Sequence, residues 1–337
     1  MAHMVETMAY AGQTPWHGLG TKVEHDMTPE EMLIAAQLNW TVSKRPLYTP
    51  SAPNVWNLLD PTQETSFTHL PDDHVLMRDS DNTRLSVCGN DYIPFQNDEV
   101  MQFFKKFTDA GNMSMETAGS LREGKDIWCL AKLNSDFRVN GSEDQIGGYL
   151  LLNNSHQVGK AMTIMLTPIR VVCNNTLTLA LGQGGSRFRV LHIQMFDEQV
   201  QAAAEEALGL SNAGLQDFQE KVDFLATTAA KDELVDRYVA QLFQPNLLVS
   251  NDEVPFTRDE FKRTALAVRE AIETSPGADL QSAKGTWWGA LNGVTYVLDH
   301  QKQSRQAGNG LYSAWLGSAA NTKRKALSLA VDMAKAA

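Results

Sequence analysis

Four stretches of this chain combine residue types that could do chemistry. The first is TPWHGLG, Thr14 to Gly20, which sets Trp16 and His17 between a proline and two glycines, Gly18 and Gly20. A catalytic His17 needs an orienting acid and a nucleophile, and sequence places neither beside it. A phosphate-cradling loop needs a preceding strand and a Lys-Ser/Thr or a downstream acid, and these are missing as well. The packing reading has Trp16 anchoring a loop while Gly18 and Gly20 open backbone turns closed to other residues; a contact with a partner is the remaining one. The second stretch is TPIRVVCNNTLTLALG, residues 167–182. Thr167 suits an N-cap, Pro168 the first helical position and Gly182 a helix stop, so the spacing predicts a helix. On it Arg170, Asn174 and Thr178 share a face. A cation in the first turn is unfavourable unless a carboxylate answers it, or unless it converges with the helix end on an anion such as phosphate. Cys173 falls on the apolar stripe with no recognisable base, so it is a weak nucleophile candidate.

The third stretch, GQGGSRFRVLHIQ, alternates Arg187 and Arg189 with Phe188 and Val190 after a Gly184-Gly185 turn. A strand there presents both arginines on one face, suited to backbone phosphates or simply to water. The fourth is C-terminal, where Lys302, Arg305, Lys323, Arg324 and Lys325 form a basic cluster. No zinc spacing, HExxH, Walker pattern or nucleophile elbow occurs, so no metal, cofactor or catalytic residue is expected from motifs.

These cations stand out against the overall charge. The 337 residues carry a formal net charge of −11, which argues against a general polyanion binder. Yet residues 145–196 hold Lys160, Arg170, Arg187 and Arg189 and no acid, and residues 284–337 hold 7 basic against 2 acidic side chains. A buried strand block would also lack carboxylates, so the first block has a bland explanation; for the more polar C-terminal block a basic face is favoured. The 3 cysteines, far apart in the chain, suggest a reducing compartment. No apolar run is long enough to span a membrane, and the N-terminus has no secretory pattern.

The elements that must position these residues read as α+β. Thr28-Pro29-Glu30-Glu31 is a capping box that opens a helix from Pro29 to about Leu38. Residues 46–74 are an irregular or hairpin-bearing connection. Hairpins follow with turns at Asp79–Asn82, Glu123–Lys125 and near Asn154–Gly159, and a helix capped by Asn97 or Asp98 carries Val100, Phe103, Phe104 and Phe107. Beyond Gly184 come a short strand and then only helices. The expected architecture is a mixed or antiparallel sheet with packed helices over 1–195, followed by a helical region over 196–337 packed on it.

Three stretches together, MAYAGQTPWHGLGTKV, TPIRVVCNNTL and GTWWGALNGVTYVLDH…LYSAWLGSAANTKRKAL, resemble the phage/plasmid-like proteins grouped under domain of unknown function 932. The resemblance runs from Met8 to about Ala330. It implies a mobile-element protein of a bacterial cytoplasm and supplies no catalytic residues. The leading expectation is a non-catalytic, oligomeric DNA-metabolism protein that binds single-stranded nucleic acid, comparable by fold-level analogy to recombination or annealing proteins. Its phosphate contacts would be Arg170, Asn174, Arg187, Arg189, Lys323, Arg324 and Lys325. A factor that binds a host or phage protein through the acidic surface, and an enzyme using His17 or Cys173, are the alternatives.

Overall fold

The computed structural model describes residues 5–12, 20–51, 66–111, 113–177, 188–193, 198–250, 257–302 and 310–336. In chain order the strands are β1 (Val5–Tyr10), β2 (Thr21–Lys22), β3 (Val42–Pro50), β4 (Phe67–Arg78), β5 (Thr83–Gly89), β6 (Ser114–Leu121), β7 (Asp126–Lys132), β8 (Phe137–Arg138), β9 (Gln145–Gly147), β10 (Tyr149–Ser155), β11 (Ala161–Leu166), β12 (Ile169–Arg170), β13 (Asn175–Thr176) and β14 (Phe188–Leu191). The helices are α1 (Pro29–Ala35), α2 (Asn97–Gly111), α3 (Glu198–Thr227), α4 (Asp232–Phe243), α5 (Asn246–Ser250), α6 (Arg263–Thr274), α7 (Trp287–Tyr296), α8 (Gly310–Trp315) and α9 (Ser318–Ala336). The fold is α+β, with the sheets in the first part of the chain and helices filling the C-terminal half.

The central sheet has seven strands in the order β14-β11-β10-β7-β6-β1-β2, antiparallel except for the parallel β1–β2 pair. Strand alternation sorts its side chains onto two faces. Ile127, Cys129 and Ala131 of β7, Leu150 and Leu152 of β10, and Ile164 and Leu166 of β11 join one large core with Phe103, Phe104 and Phe107 of α2 and Leu215, Phe218 and Val222 of α3. That core is continuous with residues of α4, α6, α7 and α9. The intervening residues, Trp128 and Leu130, Leu151 and Met165, face the other way and pack with Leu311, Ala314 and Trp315 of α8. Gly119 on β6 makes room for Trp128: a Cβ there would lie 2.2 Å from the indole and 2.5 Å from the Thr7 carbonyl.

A three-stranded sheet, β3-β4-β5, stands beside this layer. Its outer half is exposed, with Tyr48 and Phe67 turned to solvent (54% and 57% exposed). The stretch read as an irregular or hairpin-bearing connection therefore holds, in its described parts, two long paired strands. Four short strands, β13-β12-β9-β8, form the third sheet.

The α1 capping box is present, with Thr28 and Glu31 bonding each other's backbone N–H. Asn97 serves differently from expectation. Its Nδ2 donates inward to the Leu38 carbonyl at 2.9 Å, and its Oδ1 accepts from His156 Nε2 at 3.1 Å. The Thr257 capping box opens only a 3-10 turn, Arg258–Glu260, and α6 starts after a break. The first of the helices expected beyond Gly184 is a single long one, α3.

The helix expected over 167–182 is not formed in its described part. Thr167 N–H donates to the Tyr149 carbonyl at 2.7 Å, and β12 pairs with both β9 and β13. Asn174 turns the chain at a φ of 52°. The N-cap and proline signals are local, whereas sheet pairing and the burial of Arg170 are not, and tertiary contacts win. Ile169, Val171 and Val172, all β-branched, agree with the strand-and-turn outcome.

Candidate functional site

The predicted phosphate ligands separate in space. Arg170 is buried (3% exposed) and grips Asp144 with both arms, Nε to Oδ1 at 2.8 Å and Nη2 to Oδ2 at 2.7 Å. Its Nη2 also donates to the Gly277 carbonyl at 3.0 Å. Asp144 accepts further bonds from Ser282 Oγ at 2.8 Å and Trp288 Nε1 at 2.9 Å. Burial alone would push the Asp144 carboxyl up, but the Arg170 guanidinium and these donors hold it below the ordinary carboxylate value. The expectation of an external phosphate on Arg170 is therefore corrected: an internal carboxylate takes that place.

Lys323 meets the same fate. It is 0% exposed, and its Nζ donates to Asp299 Oδ1 at 2.6 Å and Thr176 Oγ1 at 2.8 Å. Asp299 Oδ2 in turn accepts from the Thr176 backbone N–H at 2.8 Å. The Lys323-Arg324-Lys325 run is dispersed by the turn of α9, about 100° per residue. Lys323 points into the core, Arg324 is half-buried and donates to Asn321 Oδ1, and Lys325 is exposed. Asn174 is exposed at its turn, and Arg189 is exposed on β14 opposite Thr163 while its neighbour Val190 is buried. Arg187, Trp16, His17 and Gly18 lie outside the described residues. Gly20 has a φ of 101° and lies over Met8 and Tyr10. Cys173 is buried, and burial pushes its thiol up, away from the thiolate a nucleophile needs.

A cation cluster that sequence reasoning missed lies on the α8 side of the central sheet. The Arg122 guanidinium carbon is 4.2 Å, and Lys160 Nζ 4.4 Å, from the ring centre of Tyr312 on α8. Lys160 Nζ also donates to the Tyr312 hydroxyl at 2.5 Å. Arg122 is further tied to Asp126 and to Gln157 Oε1 at 2.7 Å. Turns build the cluster: Arg122 and Glu123 take φ values of 56° and 62° in the β6–β7 turn, and Lys160 ends the β10–β11 turn. The only signal in the sequence was Lys160 in a block without acids. Contact with a tyrosine 152 residues away had none.

At the other end of the same sheet face, β7, β10, the β12–β13 hairpin and α8 enclose a cavity of about 400 Å³. Its apolar wall includes Met8, Leu130, Ile169, Leu311 and Trp315, and its polar lining Glu116, Lys132, Asp136, Tyr149 and Asp299. Lys132 Nζ lies 3.2 Å from Asp136 Oδ2, which also accepts from Gln145 Nε2 at 3.1 Å. Burial raises the Glu116 carboxyl; Lys132 and His25 oppose this and Asp136 adds to it. Among the described residues no group of three His, Cys, Asp or Glu could hold a metal ion, and no helix is long and apolar enough to cross a membrane.

No curated protein and no solved structure matches the chain. The profile of a family described as a domain of unknown function (DUF932) matches residues 84–315, a span from β5 through α8 that carries the cation cluster and most of the cavity wall. With well over half of its length matched, the chain belongs to the DUF932 family.

Proposed function

We propose that this protein binds single-stranded nucleic acid on the α8 side of its central sheet, without catalysis, as a phage- or plasmid-encoded, self-associating factor of a bacterial cytoplasm. The observation that carries the reading is the pair of cations on one tyrosine ring, with Arg189 exposed on the strand next to β11. Sheet faces that bind single strands combine backbone-tracking cations with rings on which bases stack. Residues 145–196 contain no acid, so no carboxylate from that stretch competes with a phosphate. The contact set differs from the one read in the sequence. Arg189, Arg324 and Lys325 stay in it, Lys160 and Arg122 join it, Arg170 and Lys323 leave it for the interior, Asn174 leaves it for the cavity lining, and Arg187 lies outside the described residues. Lys160 and Arg189 count for most, since Asp126 already answers Arg122.

The test is fluorescence anisotropy of a labelled oligothymidylate at low and moderate salt. Saturable micromolar binding that weakens with salt supports the reading; its absence at low salt removes it.

A second reading, a factor that binds a host or phage protein, draws support from the outward Tyr48 and Phe67 on the β3–β4 arm. It predicts nuclease-resistant co-purification with one defined protein, abolished by Y48S/F67S.

A further inference from the structure

The cavity at the end of the sheet face belongs to neither reading, and its lining has a definite chemical character. Its carboxylates are not equivalent. Asp299 is answered by Lys323 at 2.6 Å, and Asp136 by Lys132 at 3.2 Å and Gln145 at 3.1 Å. Glu116, the third, accepts no hydrogen bond on its side chain from any described residue, although it is half-buried in the wall. The Tyr149 hydroxyl lies in the same lining, on the strand beside Lys132. The same lining includes Leu130, Leu311 and Trp315. Trp315 is itself held by an edge-to-face contact with Trp128, ring centres 5.8 Å apart.

We propose that this cavity is a binding site for a small organic cation, an amine or guanidinium on an apolar body, with Glu116 as the counter-charge. Two of the three carboxylates are matched by lysines, Asp136 by Lys132 and Asp299 by Lys323, so Glu116 leaves a net negative charge that disfavours an anion. A neutral apolar molecule would leave Glu116 and Tyr149 without partners, at the cost of an unpaired buried polar group. A protonated amine gives Glu116 a charge-assisted hydrogen bond while its carbon frame displaces water from the apolar wall. Trp315 adds an aromatic side chain to the apolar part of the lining. The volume, about 400 Å³, lies within the range usual for small-molecule sites. The cavity shares no lining residue with the cation cluster, although α8 serves both, with Tyr312 in the cluster and Leu311, Ala314 and Trp315 in the cavity.

The test is isothermal titration of the full chain with phenethylamine and agmatine, alongside two shape-matched controls, neutral 2-phenylethanol and anionic phenylacetate. The expected result is that the amines bind at least about tenfold more tightly than 2-phenylethanol, the margin of one hydrogen bond to a charged group. Phenylacetate is expected not to bind. Glu116→Gln should weaken the amines by a similar factor with an unchanged melting temperature. Ala314→Phe, which fills the cavity from α8, should abolish amine binding in a chain shown by circular dichroism to be folded. Equal affinity for amine and alcohol, preference for phenylacetate, no binding of either amine at millimolar concentration, or full affinity in both variants would each overturn the proposal.

Discussion

Arg170 and Asp144 face each other with two parallel hydrogen bonds, 2.8 and 2.7 Å long, at a place where neither side chain reaches water (2% and 0% exposed). Asp144 lies beside β9 and Arg170 on β12, so the pair fastens the small four-stranded sheet. Through Gly277, Ser282 and Trp288 it also fastens that sheet to the helices. Removing one partner of a buried pair strands the other charge and costs about 3–5 kcal/mol. Arg170→Met is therefore expected to lose stability on that scale in urea denaturation, and Arg170→Met with Asp144→Leu to recover part of the loss. The same measurement separates a structural Arg170 from a ligand-binding one, because a solvent-facing phosphate contact would leave the midpoint unchanged.

Acid should destabilise the fold in two windows. His156 is fully buried, and burial, with His192 nearby, lowers it from 6.5 to about 3. The folded state holds it neutral, so the unfolded chain binds the extra proton, and stability is lost as pH falls from 6.5 towards about 3. Asp144 is depressed below its ordinary 3.8, and its contribution, present above that value, is lost as pH falls below it. Urea midpoints measured at steps between neutral and acid pH should decline across the first window in the wild type and less steeply in His156→Gln, which keeps the smaller contributions of His192 and His300, both also lowered by burial.

Gly119 should tolerate no side chain. A Cβ there meets the Trp128 ring at 2.2 Å and a backbone carbonyl at 2.5 Å, and neither can withdraw from the centre of the sheet. Gly119→Val is expected to lower stability by about 3 kcal/mol, the upper end for overpacking, and to move the near-ultraviolet circular dichroism of Trp128. An unchanged melting curve would contradict this packing.

Lys160→Ala and Arg189→Ala should each weaken oligonucleotide binding and lower the salt slope by about 0.7, one phosphate contact on a single strand. Tyr312→Ala should weaken binding without a comparable change in slope, since it removes a stacking surface and not a charge. Lys323→Met has a different signature: it leaves Asp299 unpaired, so the melting temperature drops. Anisotropy titrations at several salt concentrations, with melting curves beside them, check all four.

Much of the architecture was legible from residues close together in the chain. The turns at Asp79–Asn82, Glu123–Lys125 and around Asn154–Gly159 stand where turn-forming residues interrupt apolar runs, and the stripe of Val100, Phe103, Phe104 and Phe107 is the buried face of α2. Turn chemistry and periodicity act over a few residues, so a linear reading captures them. Alternation on β14 likewise set Arg189 outward and Val190 inward. Charge was legible only as a count along the chain. Whether a cation faces water or a carboxylate depends on who its neighbours are in space: Asp144 is 26 residues from Arg170, and Asp299 is 24 from Lys323. Those distances turned two expected ligands of phosphate into interior ion pairs, and they turned a helix read from Thr167 and Pro168 into a strand hairpin. The same long-range packing brought Lys160 to Tyr312 and gathered Glu116, Asp136 and Asp299 around one cavity. No local signal encodes such meetings, because they arise when separate segments bury their apolar faces against a common sheet.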